Sequence, residues 1–285
     1  NSQRLVARQD EVQDANLLPK VTLADVPRTI PIVTGHEVGD AVAHHYVAAT
    51  NGLCYVQVVL ELPQLNADEL MQLPLFCEYL TELGSGAENY LDTQGRRALV
   101  GDIGAHASAR ATLHDSDLLN GRLVISAKGL ARHQNDLVEN LFEVLDEVRF
   151  DEMARIQDLV AQSRVDVEAS ITDRGHQLAM CGAARSLSVG GRLDDLWSGP
   201  ANTVFVQKMD RECQTNDENI ARIAGSFGRI RQKLFSAPWR FLVIGEDEVV
   251  SSSLAQLSKL TCKLGANGDF HPLLVTRPDT QADGA

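Results

Sequence analysis

Leu75-Phe76-Cys77-Glu78-Tyr79, preceded by Thr50-Asn51-Gly52-Leu53-Cys54-Tyr55-Val56-Gln57-Val58-Val59-Leu60, decides how this chain folds. The upstream run is nearly continuous in apolar and β-branched residues, the pattern of a strand in the interior of a sheet. Asn66-Ala67-Asp68-Glu69 then has the form of a capping box, with Asn66 capping and Glu69 reaching back. The helix it opens carries Leu70, Leu73, Phe76, Cys77, Leu80 and Leu83 at three- and four-residue spacing, so one face is committed to a core. Gly84 is expected as its C-terminal cap. Pro74 lies inside the pattern and is expected to kink or restart the helix.

Working outward, residues 29–36 and 41–49 read as strands ahead of Leu53–Glu61. Residues 1–28 hold Pro19 and Pro27 without an amphipathic period, which reads as an extended linker packed along a surface. A short helix over 87–97 leads to two long strands, 99–113 and 118–129. The turn His114-Asp115-Ser116-Asp117 joins them as an antiparallel hairpin. From Gln134 the period becomes helical: Leu137, Leu141, Val144, Leu145 and Val148 form one stripe, and Met153, Ile156, Leu159, Val160, Val165 and Val167 most of the next. Residues 175–187 form a helix of small residues, and 193–200 a loop or short helix. A helix over 215–235, a strand Trp239–Gly245 and a last helix over 250–264 complete the order. Strands, then helices, then a returning strand imply an α+β fold, a mixed and largely antiparallel sheet with helices packed mainly on one face. The expected organisation is a linker over 1–28, one domain over 29–265 and a polar tail over 266–285.

The bulk composition excludes several functions. Of 285 residues, 44% are hydrophobic and 23% charged, as in ordinary globular proteins, and the net charge of −13 argues against a nucleic-acid partner. Arg229-Ile230-Arg231-Gln232-Lys233 is the one dense basic stretch, and its helical setting makes it a solvated face. No apolar run approaches the roughly 18 residues of a membrane span. The five cysteines, Cys54, Cys77, Cys181, Cys213 and Cys262, are odd in number and widely spaced. They read as reduced thiols, which inclines the reading toward a cytoplasmic setting. Asn1-Ser2-Gln3-Arg4 has neither an initiator Met nor an apolar core, so the chain is expected to be a piece of a longer polypeptide.

An inverted zinc peptidase carries His-x-x-Glu-His on a helix after such a strand, two histidines holding the metal and the glutamate acting as general base. In this chain Leu75 and Tyr79 stand at the histidine positions and Glu78 at the glutamate position. Leucine cannot bind zinc, and neutral tyrosine is a poor substitute for imidazole. The order of motifs resembles one domain of the pitrilysin/insulinase-type metallopeptidases. The likeness is to the presequence-protease branch, specifically the third of its four domains. The pieces that carry it include Leu18-Pro19-Lys20-Val21-Thr22-Leu23-Ala24-Asp25-Val26-Pro27, Leu73-Pro74-Leu75-Phe76-Cys77-Glu78-Tyr79-Leu80, Phe150-Asp151-Glu152-Met153, Gly175-His176-Gln177-Leu178 and Phe241-Leu242-Val243-Ile244-Gly245. The resemblance implies a LuxS/pitrilysin-like domain without catalytic, cofactor or metal residues of its own. It also implies a bacterial parent peptidase whose zinc sits in another domain. Its implied partners are the other domains of that polypeptide and unfolded peptide substrate, with no nucleic acid and no membrane.

Rival sites are weaker on the residues. His36, Glu37, His44 and His45 could suggest a metal, but strand alternation puts His44 with Tyr46 on one face and His45 on the other. His106 and His114 suit exposed hairpin positions, and His176 a capping or packing role at a helix start. Gly225-Ser226-Phe227-Gly228 lacks nucleophile-elbow spacing, and Cys54 and Cys77 lie in apolar runs unsuited to a reactive thiolate. Neither Gly101-Asp102-Ile103-Gly104 nor Val189-Gly190-Gly191-Arg192 matches a phosphate-cradling loop. Glu78 has no metal to work with and reads as structural. The second reading, from another class, is a self-standing interaction module that binds a protein or peptide by strand addition at a sheet edge.

Overall fold

A computed structural model describes residues 18–29, 35–38 and 41–261, together with Arg4 and Gln9. The chain divides into two units, Asn1–Val33 and Thr34–Ala285. In the first, a 3-10 turn spans Leu23–Asp25. The Thr22 backbone N–H and hydroxyl both donate to the Asp25 carboxylate, at 2.7 and 2.8 Å. Leu18, Val21, Leu23 and Val26 are exposed. Within these residues the local Thr22–Asp25 bonds favour a turn; most of the linker expected over 1–28 lies outside the described residues.

Among the described residues, the second unit holds a six-stranded sheet in the order β1-β2-β6-β3-β5-β4. The strands are β1 (Gly35–Val38), β2 (Ala41–Val47), β3 (Leu53–Glu61), β4 (Gly101–Ala111), β5 (Leu119–Leu130) and β6 (Trp239–Gly245). All neighbours are antiparallel except β2 and β6, so the sheet is mixed and largely antiparallel. Alternation commits one face to the core. Val58, opposite both Ile125 and Phe241, and Leu60, opposite Leu123 and Trp239, are buried with both partners. Each such side chain contributes roughly 1.5–3 kcal/mol by leaving water. The intervening residues of β3, Tyr55, Gln57 and Val59, are only partly covered.

Helix α1 (Ala67–Glu82) packs against β4, and α3 (Gln134–Asp146) against β3 and β5. Helix α9 (Asp247–Thr261) covers β2 and β6, and α2 (Tyr90–Val100) touches β4. Helices α4 (Met153–Asp173), α7 (Pro200–Thr215) and α8 (Asp217–Phe235) pack on one another, α8 meeting α1. Helices α5 (Gly175–Ala184) and α6 (Val189–Ser198) lie against α7. An aromatic cluster seals the α1–α8 contact: the Phe227 ring centroid lies 5.7 Å from those of Phe76, Tyr79 and Phe150.

The expected α+β class holds, with differences that have local causes. Asn66 and Glu69 form the expected capping box. Helix α1 runs unbroken through Pro74 and ends at Leu83 in extended conformation, not at a left-handed Gly84. Gly84 is needed for close approach instead, because a Cβ there would collide with the Glu88 carbonyl oxygen. The strand expected at 29–36 is seen as Gly35–Val38, and residues 30–34 lie outside the described set. Helix α7 was not expected. Pro200 starts it at the first turn, where a missing N–H has no cost, rather than closing a loop. Val165 is exposed, and α5 buries none of its residues. The basic stretch at 229–233 is more than a solvated face. Lys233 Nζ lies 2.5 Å from the buried Glu69 carboxylate, and Arg231 stands 5.6 Å from the Phe150 ring centroid. Residues 262–285, including Cys262 and the expected tail over 266–285, lie outside the described residues.

Candidate functional site

The helix face that would offer two metal ligands is turned into the core. Leu75 and Tyr79, one turn apart on α1, are both buried, Tyr79 completely. Ser163 Oγ donates to the Leu159 carbonyl at 2.9 Å, which leaves its oxygen to accept from the Tyr79 hydroxyl, also at 2.9 Å. Burial pushes the Tyr79 phenol far above the ordinary tyrosine range, outweighing the Ser163 bond, so the group stays neutral. A hydrocarbon and a neutral phenol whose proton is committed elsewhere do not fit a zinc ion. Among the described residues there is no group of three or more His, Cys, Asp or Glu that could hold a metal.

Glu78 points away from that core into a cavity of about 580 Å³. Its walls include Glu78 and Glu82 of α1, Ala105 and Ala107 of β4, and Asp194 and Trp197 of α6. Glu78 keeps contact with solvent. The surrounding walls nevertheless remove part of its hydration and raise its pKa, and the Asp166 and Glu82 carboxylates raise it further. Glu82 is neutralised by Arg155 at 2.7 Å, and the Arg155 guanidinium lies 4.4 Å from the Tyr90 ring centroid. No ion pair or side-chain hydrogen bond reaches the Glu78 carboxylate among the described residues.

The cavity rests on several fixed supports. Pro74 cannot donate to the Leu70 carbonyl, and Trp197 Nε1 does so instead, at 2.9 Å. Asp195, buried next to Trp197, accepts from the Ala201 N–H at 3.1 Å and so ties α6 to the start of α7. Glu152 holds the turn after α1, accepting from the Gly84 and Tyr90 N–H groups at 2.7 and 3.0 Å. These partners were not legible in the sequence.

The remaining sequence candidates do not converge. On β2, His44 pairs with Leu242 and His45 with the buried core residue Val243, so the two lie on opposite faces. The His36 side chain lies outside the described residues. His106 borders the Glu78 cavity, His114 is exposed in the hairpin turn, and His176 is exposed rather than packed. The residue before α5, Arg174, makes no side-chain cap, and none is supplied by His176. Cys54 and Cys77 are buried, and burial raises both thiols above the ordinary range. Ser226 is buried inside α8, and Val189 to Arg192 form the first turn of α6, capped by Ser188.

The arrangement is a mixed sheet in which a strand is followed by a helix whose Leu75 and Tyr79 are buried. A family model described as peptidase M16 (subfamily C) associated matches residues 1–209, and the chain belongs to that family. It is 28% identical over 236 residues to the mitochondrial presequence protease of Danio rerio, a match that covers 82% of this chain and 23% of that protein. It is 25% identical to presequence protease 1, chloroplastic/mitochondrial, of Arabidopsis thaliana, over 80% of this chain and 21% of that protein. It is 24% identical to protein HypA of Clostridium perfringens, over 83% of this chain and 24% of that protein. The chain thus spans about a quarter of the length of these relatives. A crystal structure of a conserved protein from Enterococcus faecalis V583 shares the fold, with a TM-score of 0.58 and 14% identity over 84% of this chain and 54% of that one. The expectation of a bacterial parent finds no support here, since the presequence proteases matched come from vertebrates, a plant and fungi.

Proposed function

We propose that this chain is a catalytically inactive domain of a presequence-protease-like zinc metallopeptidase. In this reading it joins the other domains of the same polypeptide to form a closed chamber in which unfolded peptides are degraded. The zinc and its general base belong to another domain. One observation carries the reading: Leu75 and Tyr79 occupy the ligand face of the helix and are built into the core. A domain arranged in this way supplies a wall, excluding bulk water and restricting what enters, while the chemistry happens elsewhere.

The test is metal analysis of the purified 285-residue chain, paired with a cleavage assay on an unfolded basic peptide. The expected result is no stoichiometric zinc and no cleavage, with or without chelator. One tightly bound zinc together with chelator-sensitive cleavage would end the reading.

A further inference from the structure

A second cavity, of about 400 Å³, lies among α1, α7 and α8 and shares no lining residue with the one beside Glu78. Its size falls within the range of roughly 300–1,000 Å³ that small-molecule sites occupy. The floor is apolar and closed, since Met209 and Ile223 are buried. Met71 and Phe205 form partly covered sides, and the exposed Val204 stands at the mouth. Two thioethers and a phenyl ring favour an aromatic occupant, because sulfur is drawn to ring edges and rings pack on one another.

Two polar atoms in these walls lack a partner among the described residues. Ser226 is 2% exposed and its Oγ bonds nothing, and the Gln72 Oε1 is likewise buried and unpaired. Native structures pair nearly all such groups, because leaving one bare costs its full desolvation. A hydroxyl on the occupant meets both needs: it donates to Gln72 Oε1 and accepts from Ser226 Oγ.

The rim adds a charge preference. The chain carries a net −13, yet Lys208, Arg222 and Arg229 all border this cavity, against Asp68 and Glu212. Glu212 lies 2.6 Å from Arg222 and 3.8 Å from Lys208, so two cations share one anion. Arg229 has only a 3.9 Å contact with Glu69, whose charge Lys233 already meets at 2.5 Å. Asp68 sits in the first turn of α1, where the helix dipole compensates it. The three cationic side chains are more than half exposed, which puts the surplus positive charge at the mouth. The cavity beside Glu78, by contrast, is lined by carboxylates and by neither Lys nor Arg.

We propose that this cavity binds a small phenolic carboxylate. Its ring lies between Met71, Phe205 and Met209, its hydroxyl meets Ser226 and Gln72, and its carboxylate stays at the mouth with Lys208 and Arg229. The site does not depend on the chamber-wall reading, and the failure of either leaves the other standing.

The experiment titrates the ¹⁵N-labelled 285-residue chain with para-hydroxyphenylpropanoate. Phenylpropanoate, which lacks the hydroxyl, and para-ethylphenol, which lacks the carboxylate, serve as comparisons. Saturable amide shifts are expected at Val204, Phe205, Ile223 and Ser226. Loss of the hydroxyl is expected to weaken binding about three- to tenfold. Loss of the carboxylate is expected to weaken it about two- to fivefold, a difference that disappears at about 1 M salt. The double variant Gln72→Met, Ser226→Ala replaces both unpaired atoms with apolar groups, so the fold should hold and the preference for the hydroxyl should vanish. Val204→Trp, at an exposed position, blocks the mouth and should weaken all three ligands at least about tenfold. The absence of saturable shifts at these four amides up to about 10 mM phenolic acid overturns the proposal. Equal binding of the phenolic and plain acids, or unchanged binding to Val204→Trp, overturns it as well. Should the double variant fail to fold, the ligand series and Val204→Trp decide the question.

Discussion

Replacing Trp197 with Phe is expected to destabilise the chain through a carbonyl on a different helix. In a regular helix the Leu70 carbonyl accepts from the N–H of residue 74, and Pro74 has none. Trp197 Nε1 fills that gap at 2.9 Å, and Leu70 is buried. Phenylalanine keeps an aromatic ring but removes the donor. The bare carbonyl costs about 1–3 kcal/mol. Because Trp197 is only partly buried, the smaller ring adds less than about 1 kcal/mol. Urea unfolding monitored by circular dichroism reads the total. The decisive measurement repeats the change in a Pro74→Ala background, where the introduced alanine supplies an N–H for the Leu70 carbonyl. Trp197→Phe should then cost only its packing share, giving a coupling of about 1–2 kcal/mol between the two positions. Additivity within about 0.5 kcal/mol would refute the idea that Trp197 completes the helix that Pro74 interrupts.

Four further outcomes are expected. Ser163→Ala leaves the buried Tyr79 hydroxyl without a partner and should cost about 1–3 kcal/mol, more than Tyr79→Phe at about 0.5–1.5 kcal/mol; a urea double-mutant cycle should find the pair less than additive. Glu152→Ala strips the Gly84 and Tyr90 N–H groups of their acceptor and should lower stability by about 2–3 kcal/mol in thermal unfolding. Burial tends to raise the pKa of Glu69, but Lys233, the Asn66 N–H and Arg229 together bring it below the ordinary value. Its contribution is therefore complete above the unfolded-state value of about 4.3 and fades as pH falls through the lower folded value, so the stability gap to Glu69→Gln should narrow below about pH 4. Restoring both histidines with Leu75→His and Tyr79→His should cost more than about 3 kcal/mol, because polar rings enter a closed core, and should not recover stoichiometric zinc by metal analysis.

What was legible in the sequence followed from how much of the signal is local. The strands Leu53–Glu61 and Trp239–Gly245 match their sequence bounds because both lie inside the sheet, where apolar runs start and stop with the strand. The capping box at Asn66 was equally local. Helix α7 was not readable, because Pro200 serves as well for a first helical turn as for a loop, and most of the helix is polar. Gly84 looked like a cap because a cap is the common reason for glycine after a helix; its actual reason, the nearness of Glu88, comes from residues that fold back onto it. The unbroken course through Pro74 depends on Trp197, 127 positions away from Leu70 along the chain, which no local pattern reports.

The candidate site divides along the same line. That leucine offers no donor to zinc and neutral tyrosine only a poor one is a property of the side chains at positions 75 and 79, and was visible in the sequence. That they are core, rather than an open face stripped of its metal, required the fold, since only packing brings Ser163 and Phe227 onto Tyr79. The distinction has a physical consequence. An open, unligated face would leave the helix with unpaired polar positions, and the loss of metal would subtract stability. Here burial of a leucine and a tyrosine supplies the cohesion that holds the helix to its neighbours. Glu78, one position from Tyr79 and on a different side of the helix, takes no part in that exchange. It retains a carboxyl group facing a cavity that, among the described residues, is lined by neither Lys nor Arg. Core packing accounts for Leu75 and Tyr79, and leaves Glu78 outside the core and in contact with solvent.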